Sequence, residues 1–266
     1  YKERMVQLVK NLQVALGERI KAQDWMSDST KTVALDKLAA FYVKIGYPNK
    51  WRDYSGLDIH NDSYYANNLR SNKFDFDYMV SKKLNKPADH DEWMMTPQEI
   101  NAYYNPTTNE ICFPAGILQP PFFDMDADDA YNYGAIGSVI GHEMTHGFDD
   151  EGSQYDKDGN LRVWWKNSDR KSFSERTKVM ADYFSNINVL PDLKCNGELT
   201  LGENLADHGG LMISFQAYKN ATKNNPLPVK DGYTADQRFF IAYATSWLEK
   251  NSDEFIRMVT KTDPHS

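Results

Sequence analysis

His142-Glu143-Met144-Thr145-His146 constrains this chain more than any other stretch. On a helix, residues four apart lie on one face. Both imidazoles then point the same way, and two neutral ring nitrogens can hold one zinc ion. Glu143 lies one step round, within reach of a water on that metal. The surrounding residues 131–152 suit a buried helix. Ile136, Val139 and Ile140 precede the motif, Phe148 follows it, and Asp149-Asp150-Glu151-Gly152 closes it. Gly134, Gly137 and Gly141 are poor helix formers, and their spacing predicts the close approach of another backbone. The plainer reading is two ordinary helical histidines. It weakens if a third ligand exists, because catalytic zinc takes three protein ligands and keeps one position open.

A source for that ligand lies in residues 199–210, where Glu203 and Asp207 are four apart and share a helical face. One carboxylate of such a pair can bind metal while the other accepts the N–H of a ligating imidazole. Two solvent-facing acids are the alternative, and the apolar surroundings argue against it. His208 is off that face.

The rest of the chain reads as mostly helical. Met5, Leu8, Leu12, Leu16 and Ile20 form a core stripe in a helix over residues 1–24. A second helix fits residues 28–45, capped by Ser27, lined by Ala34, Leu38, Phe41, Tyr42 and Ile45, and stopped by Gly46-Tyr47-Pro48. Residues 61–84 look helical and rich in aromatics. Residues 100–104 and 110–113 are short strand-like runs around Asn105-Pro106-Thr107-Thr108-Asn109, which predicts a β-hairpin. Leu118, Phe122 and Phe123 then supply apolar bulk for either a pocket wall or the core. The acidic run 124–129 fits a helix N-terminus, and residues 156–160 a tight turn rather than a calcium loop. Residues 169–188 form a further amphipathic helix, with Phe173, Met180, Tyr183, Phe184 and Ile187 on one side. Thr234-Ala235-Asp236-Gln237 is a capping box opening a last major helix with Phe239, Phe240, Tyr243 and Trp247. Residues 262–266, taken alone, read as a frayed tail.

A net charge of −8 supplies no basic footprint for nucleic acid or anionic membrane. No apolar run approaches the roughly 20 residues that span a bilayer. Cys112 and Cys195 form no disulfide framework, and their spacing leaves pairing and compartment open.

Together these segments resemble the catalytic part of the neprilysin family of zinc metallopeptidases. That family includes the endothelin-converting enzymes and bacterial endopeptidases of the oligopeptidase O type. Four stretches carry the likeness: Asn101-Ala102-Tyr103-Tyr104, residues 113–123, residues 141–150 and residues 202–210. Their order and spacing agree over nearly the whole chain.

The resemblance implies an α+β fold, predominantly helical, thermolysin-like around the metal, with a small sheet. It implies one Zn2+ on His142, His146 and Glu203, with Glu143 as general base. Asp207 would orient one ligand histidine, and Asp149 or Asp150 the other. Asn101 and Ala102 would hold the substrate backbone, Phe122 and Trp247 would line the hydrophobic pocket after the scissile bond, and His265 would stabilise the oxyanion. The implied reaction is hydrolysis of oligopeptides on the amino side of hydrophobic residues, in an extracytoplasmic compartment. The expected organisation is a helical segment over residues 1–95 packed on a catalytic lobe over 96–266. The family's N-terminal lid domain, and an arginine past the final Asp-Pro-His-Ser, are expected to be missing from this piece. A catalytically weak fragment or a peptide-binding pseudo-peptidase is the alternative.

Overall fold

The computed structural model describes residues 1–265. Helix α1, Lys2–Ala22, buries the predicted stripe: Met5, Leu8 and Leu12 are fully enclosed, and Leu16 and Ile20 nearly so. Helix α2 covers only Asp28–Ala39. The helix expected to continue to residue 45 does not. Tyr42–Gly46 is strand β1 instead. The cause is tertiary, since β1 pairs in parallel with a later strand. Val43 and Ile45 are β-branched and suit a strand, and Ile45 is buried there as it would have been on a helix.

Helix α3, Tyr64–Lys83, opens on Ser63, whose hydroxyl accepts from the Ala66 N–H, and buries none of its residues. The predicted hairpin follows as β2, Tyr103–Asn105, and β3, Glu110–Pro114, closed by Asn109 at a φ of 49°. The strand order is β1-β3-β2, so β2 is an edge.

The motif helix is assembled from α4, Asp129–Asn132, a π-helical turn over Tyr133–Gly137, and α5, Ser138–His146. The acidic run begins it as expected. The Asp128 carboxylate accepts from the Tyr131 N–H and pairs with Arg238 at 2.7 Å, and Asp129 pairs with Arg4. Residues 156–160 form the expected turn, in which Asp156 accepts from the backbone of Asp158 and Asn160.

The helix expected over residues 169–188 is α6, Asn167–Phe184, and it ends before Ile187. Asp169, Thr177 and Ala181 face inward, with Phe173, Met180 and Phe184 of the expected stripe half-buried on the same side, whereas Tyr183 is exposed. Apolar and polar contacts both dock it: Phe173 packs on Trp25 and Trp165, and Asp169 accepts from both the hydroxyl and the backbone N–H of Ser27. Strands β4, Asn188–Leu190, and β5, Leu193–Lys194, form a small hairpin before α7, Leu201–Thr222.

The crossing of α5 and α7 positions the site. A Cβ on Gly141 would lie 2.6 Å from the Gly210 carbonyl oxygen, and one on Gly210 would lie 2.5 Å from the His142 nitrogen. The glycines thus allow the close backbone approach predicted for them. Helix α8, Ala235–Ser246, has the full capping box at Thr234 and Gln237, and α9, Asp253–Thr262, leads to His265. One hydrophobic core runs from Met5 on α1 through Ile111 and Ile140 to Phe239 on α8. Cys112 and Cys195 are both buried and unpaired. Among the described residues, no helix is long and apolar enough to cross a membrane.

Candidate metal centre and cleft

Helix α5 presents His142 and His146 on one face, and their Nε2 atoms lie 2.9 Å apart. Helix α7 brings Glu203 against them: its Oε2 is 3.2 Å from His142 Nε2 and 3.5 Å from His146 Nε2. His265 Nε2 lies 3.3 Å from the same oxygen. Yet Glu203 Oε2 is buried and accepts no hydrogen bond. Three nitrogens crowd this oxygen without a bond of good geometry, an arrangement that a cation between the donors would satisfy. Among the described residues, His142, His146 and Glu203 form a group whose ligand atoms all lie within 4.8 Å of one another. Two imidazoles and one carboxylate are the donor set of a zinc with an open position, so the residues fit that ion.

The far sides of both imidazoles are held. His142 Nδ1 meets Asp207 Oδ1 at 2.8 Å, and His146 Nδ1 meets Asp149 Oδ2 at 2.7 Å. Such partners fix ring orientation and raise ligand basicity. Of the two acids considered for His146, the partner is Asp149. Asp150 is not among the residues lining the cleft and makes no hydrogen bond to His146.

Electrostatics follow from this geometry. Burial disfavours charge on His142, but the bond to Asp207 and the nearby Glu203 carboxylate outweigh it and raise the imidazole to about 9. His146 is likewise raised to about 11, against burial, by Asp149 and Glu203. Burial opposes ionisation of Glu203 too, but the two imidazoles hold its carboxyl well below the usual range. Burial pushes Glu143 up, against the pull of His142 and His146. The cluster therefore draws positive charge to its centre.

The site opens into a cleft of about 460 Å³, within the range of ligand pockets. Glu143, Asn101, Ala102, Phe122, Trp247 and His265 all line it, as do the three candidate ligands and Asp207. Phe122 faces the cleft while Leu118 and Phe123 go to the core, so both readings of that stretch hold in part. The Ala102 N–H is turned toward the Asn101 side chain at 2.9 Å, just before the edge strand β2. His265, expected to fray, is placed by Asp263, whose Oδ1 accepts from its backbone N–H at 2.9 Å and meets its Nδ1 at 2.7 Å.

Sequence reasoning missed Tyr243 and Glu151, which also line the cleft. Tyr243 was findable, being one helical turn before Trp247. Burial, helped by the charge of Asp207, pushes its phenol up. Glu151 carried no signal. No lysine or arginine is among the described residues lining the cleft.

Two models of peptidase family M13 match the chain, one over residues 101–266 and an amino-terminal one over residues 1–48. Mouse endothelin-converting enzyme 1 is 43% identical over 98% of this chain and 35% of its own length. Neprilysin-11 of Caenorhabditis elegans is 41% identical over 100% of this chain and 33% of its own. The inhibitor-bound crystal structure of Mycobacterium tuberculosis zinc metalloprotease Zmp1 superposes with a TM-score of 0.94 at 48% identity, covering 100% of this chain and 41% of that one. PepO of Lactobacillus rhamnosis gives a TM-score of 0.88 at 33% identity, with the same coverage. The chain spans about a third of the length of the curated relatives it matches. With the family model matched across the sheet, the motif helix and the cleft, this chain belongs to peptidase family M13.

Proposed function

We propose that this chain carries the active site of a zinc-dependent endopeptidase that hydrolyses oligopeptides on the amino side of hydrophobic residues. One observation carries the reading. The buried Glu143 carboxylate lies on the wall of the same cleft as a two-imidazole, one-carboxylate cluster, without belonging to that cluster. His142, His146 and Glu203 would hold the zinc. When bound, zinc supplies Lewis acidity and lowers the pKa of a water toward ~7.

The chain's own residues do the rest. Glu143 takes a proton from the attacking water as the new C–O bond forms, then passes it to the leaving nitrogen as the C–N bond breaks. Its burial, which favours the protonated form, suits both halves of that transfer. His265 Nε2 faces the cluster and donates to the developing oxyanion, with Asp263 orienting the ring. Asn101 and Ala102 extend the line of edge strand β2 and take the substrate backbone by strand addition. Phe122 and Trp247 receive the hydrophobic side chain that follows the cut.

The test is Glu143→Gln, assayed with an internally quenched peptide beside a zinc determination. The variant keeps its zinc and loses nearly all turnover. Loss of zinc, or turnover close to the parent's, would refute the role given to Glu143.

A further inference from the structure

We infer that Lys37, which lies outside the cleft, is a positioning residue for His146, acting through Gly152 and Asp149. This rests on the proposed reading of His146 as a zinc ligand. Lys37 is on α2 and its side chain is enclosed, with 1% of the residue exposed. A buried ammonium is costly unless its donors are used. Here Nζ donates to the carbonyl oxygens of Gly152 at 2.8 Å and Tyr155 at 2.7 Å. The rings of Tyr104, Phe148 and Trp164 surround it at 5.7–5.9 Å, within cation–π range.

Gly152 joins this lysine to the metal centre. Its carbonyl accepts from Lys37, and its N–H donates at 2.7 Å to Asp149 Oδ1. The Glu151 N–H donates to that same oxygen at 3.0 Å. The other oxygen of Asp149 meets His146 Nδ1. Three hydrogen bonds, joined through the Gly152 backbone and the Asp149 carboxylate, therefore run from Nζ to the imidazole. Gly152 has no room to shift toward α5, because a Cβ there would collide with the His146 carbonyl oxygen. The lysine charge also acts with Asp149 directly, and that attraction partly offsets its burial. From the other side, Asn109 donates to the Lys37 carbonyl at 3.2 Å, and Tyr104 donates to Asn109 at 3.0 Å. Lys37 thus ties the hairpin beside the cleft to the loop that orients a candidate ligand.

A purely structural lysine would stabilise the fold without changing the metal centre. The two cases separate in a double-mutant cycle on zinc affinity, measured by competition with a chromophoric chelator on the whole chain. Lys37→Met weakens zinc binding by ~10-fold or more, the size of effect that outer hydrogen-bond partners have. In an Asp149→Asn background the same change costs less than about 3-fold, because the path is already cut. Thr30→Val, which removes a buried hydroxyl from the same helix outside this path, leaves zinc affinity unchanged. Lys37→Gln keeps an N–H donor without charge and decides by the same criterion if Lys37→Met does not fold. Unchanged affinity in a Lys37 variant, equal losses in both backgrounds, or failure of both variants to fold at saturating zinc would overturn the inference. The wild-type titration, done first, tests the metal reading separately: no zinc there refutes that reading and this inference with it.

Discussion

Glu203 and Asp207 are one turn apart on α7, yet they meet opposite nitrogens of the same imidazole. Glu203 faces His142 Nε2 and Asp207 faces Nδ1. Sequence spacing alone showed that the two share a helical face. It did not show which would reach the metal side, because that depends on where α5 crosses. The geometry predicts that Glu203→Ala strips zinc far more than Asp207→Ala, whose loss costs ~10–100-fold. Metal titrations in the reverse order would exchange the two roles. The same residues set a pH dependence. In the unfolded chain the imidazoles titrate near ~6.5, and in the folded chain His142 is raised to about 9 and His146 to about 11. The folded, zinc-stripped chain therefore binds more protons than the unfolded one between those values. Its imidazoles contribute stability that is fully present below ~6.5 and lost as pH rises through 9 to 11. Zinc needs neutral imidazoles, so its binding releases protons and tightens over the same window. Thermal midpoints of the stripped chain should fall from pH 7 to 9 while zinc affinity rises. A flat or opposite trend in both would contradict the site's electrostatics.

The elements that were legible in sequence are those whose signals are local. The α1 stripe, the hairpin turn and the Thr234 capping box each sit within a few residues of their cause. Residues 42–46 were misread because the same apolar positions satisfy a helix or a strand, and only pairing with β3 decides. The inner face of α6 was legible through Phe173, Met180 and Phe184, but not the docking of Asp169 on Ser27, a polar contact across 142 positions that no hydrophobic period reports. The place of His265 at the cleft was legible only through the family resemblance, because its neighbours in space, Glu203 and the cleft wall, are remote in sequence. The glycines of α5 were legible as a packing device, and the structure supplies the partner. Gly210→Ala would force α7 off the His142 backbone. Overpacking of this kind costs about 1–3 kcal/mol, so the variant should melt earlier and bind zinc more weakly. A variant with unchanged midpoint and zinc affinity would show that the crossing tolerates separation.

At the scale of the molecule, α5 and α7 supply the cluster, edge strand β2 supplies one wall of the cleft, and α8 with the segment after α9 supplies another. The last wall carries His265, which is more exposed than the candidate ligands and held chiefly by Asp263. A donor to a developing oxyanion acts in the transition state, so His265→Ala should lower kcat by ~10²–10³ with little change in KM. A rise in KM at unchanged kcat would make it a ground-state contact instead. Everything rests on the claim that His142, His146 and Glu203 hold one zinc with a position left open. X-ray absorption at the zinc edge, on the chain loaded with one equivalent, tests it most directly. The predicted result is two imidazole nitrogens at ~2.0–2.1 Å and oxygen at ~2.0–2.2 Å, with one oxygen replaceable by a small anion. A sulfur shell at ~2.3 Å from Cys112 or Cys195, or four protein ligands with none replaceable, would contradict it.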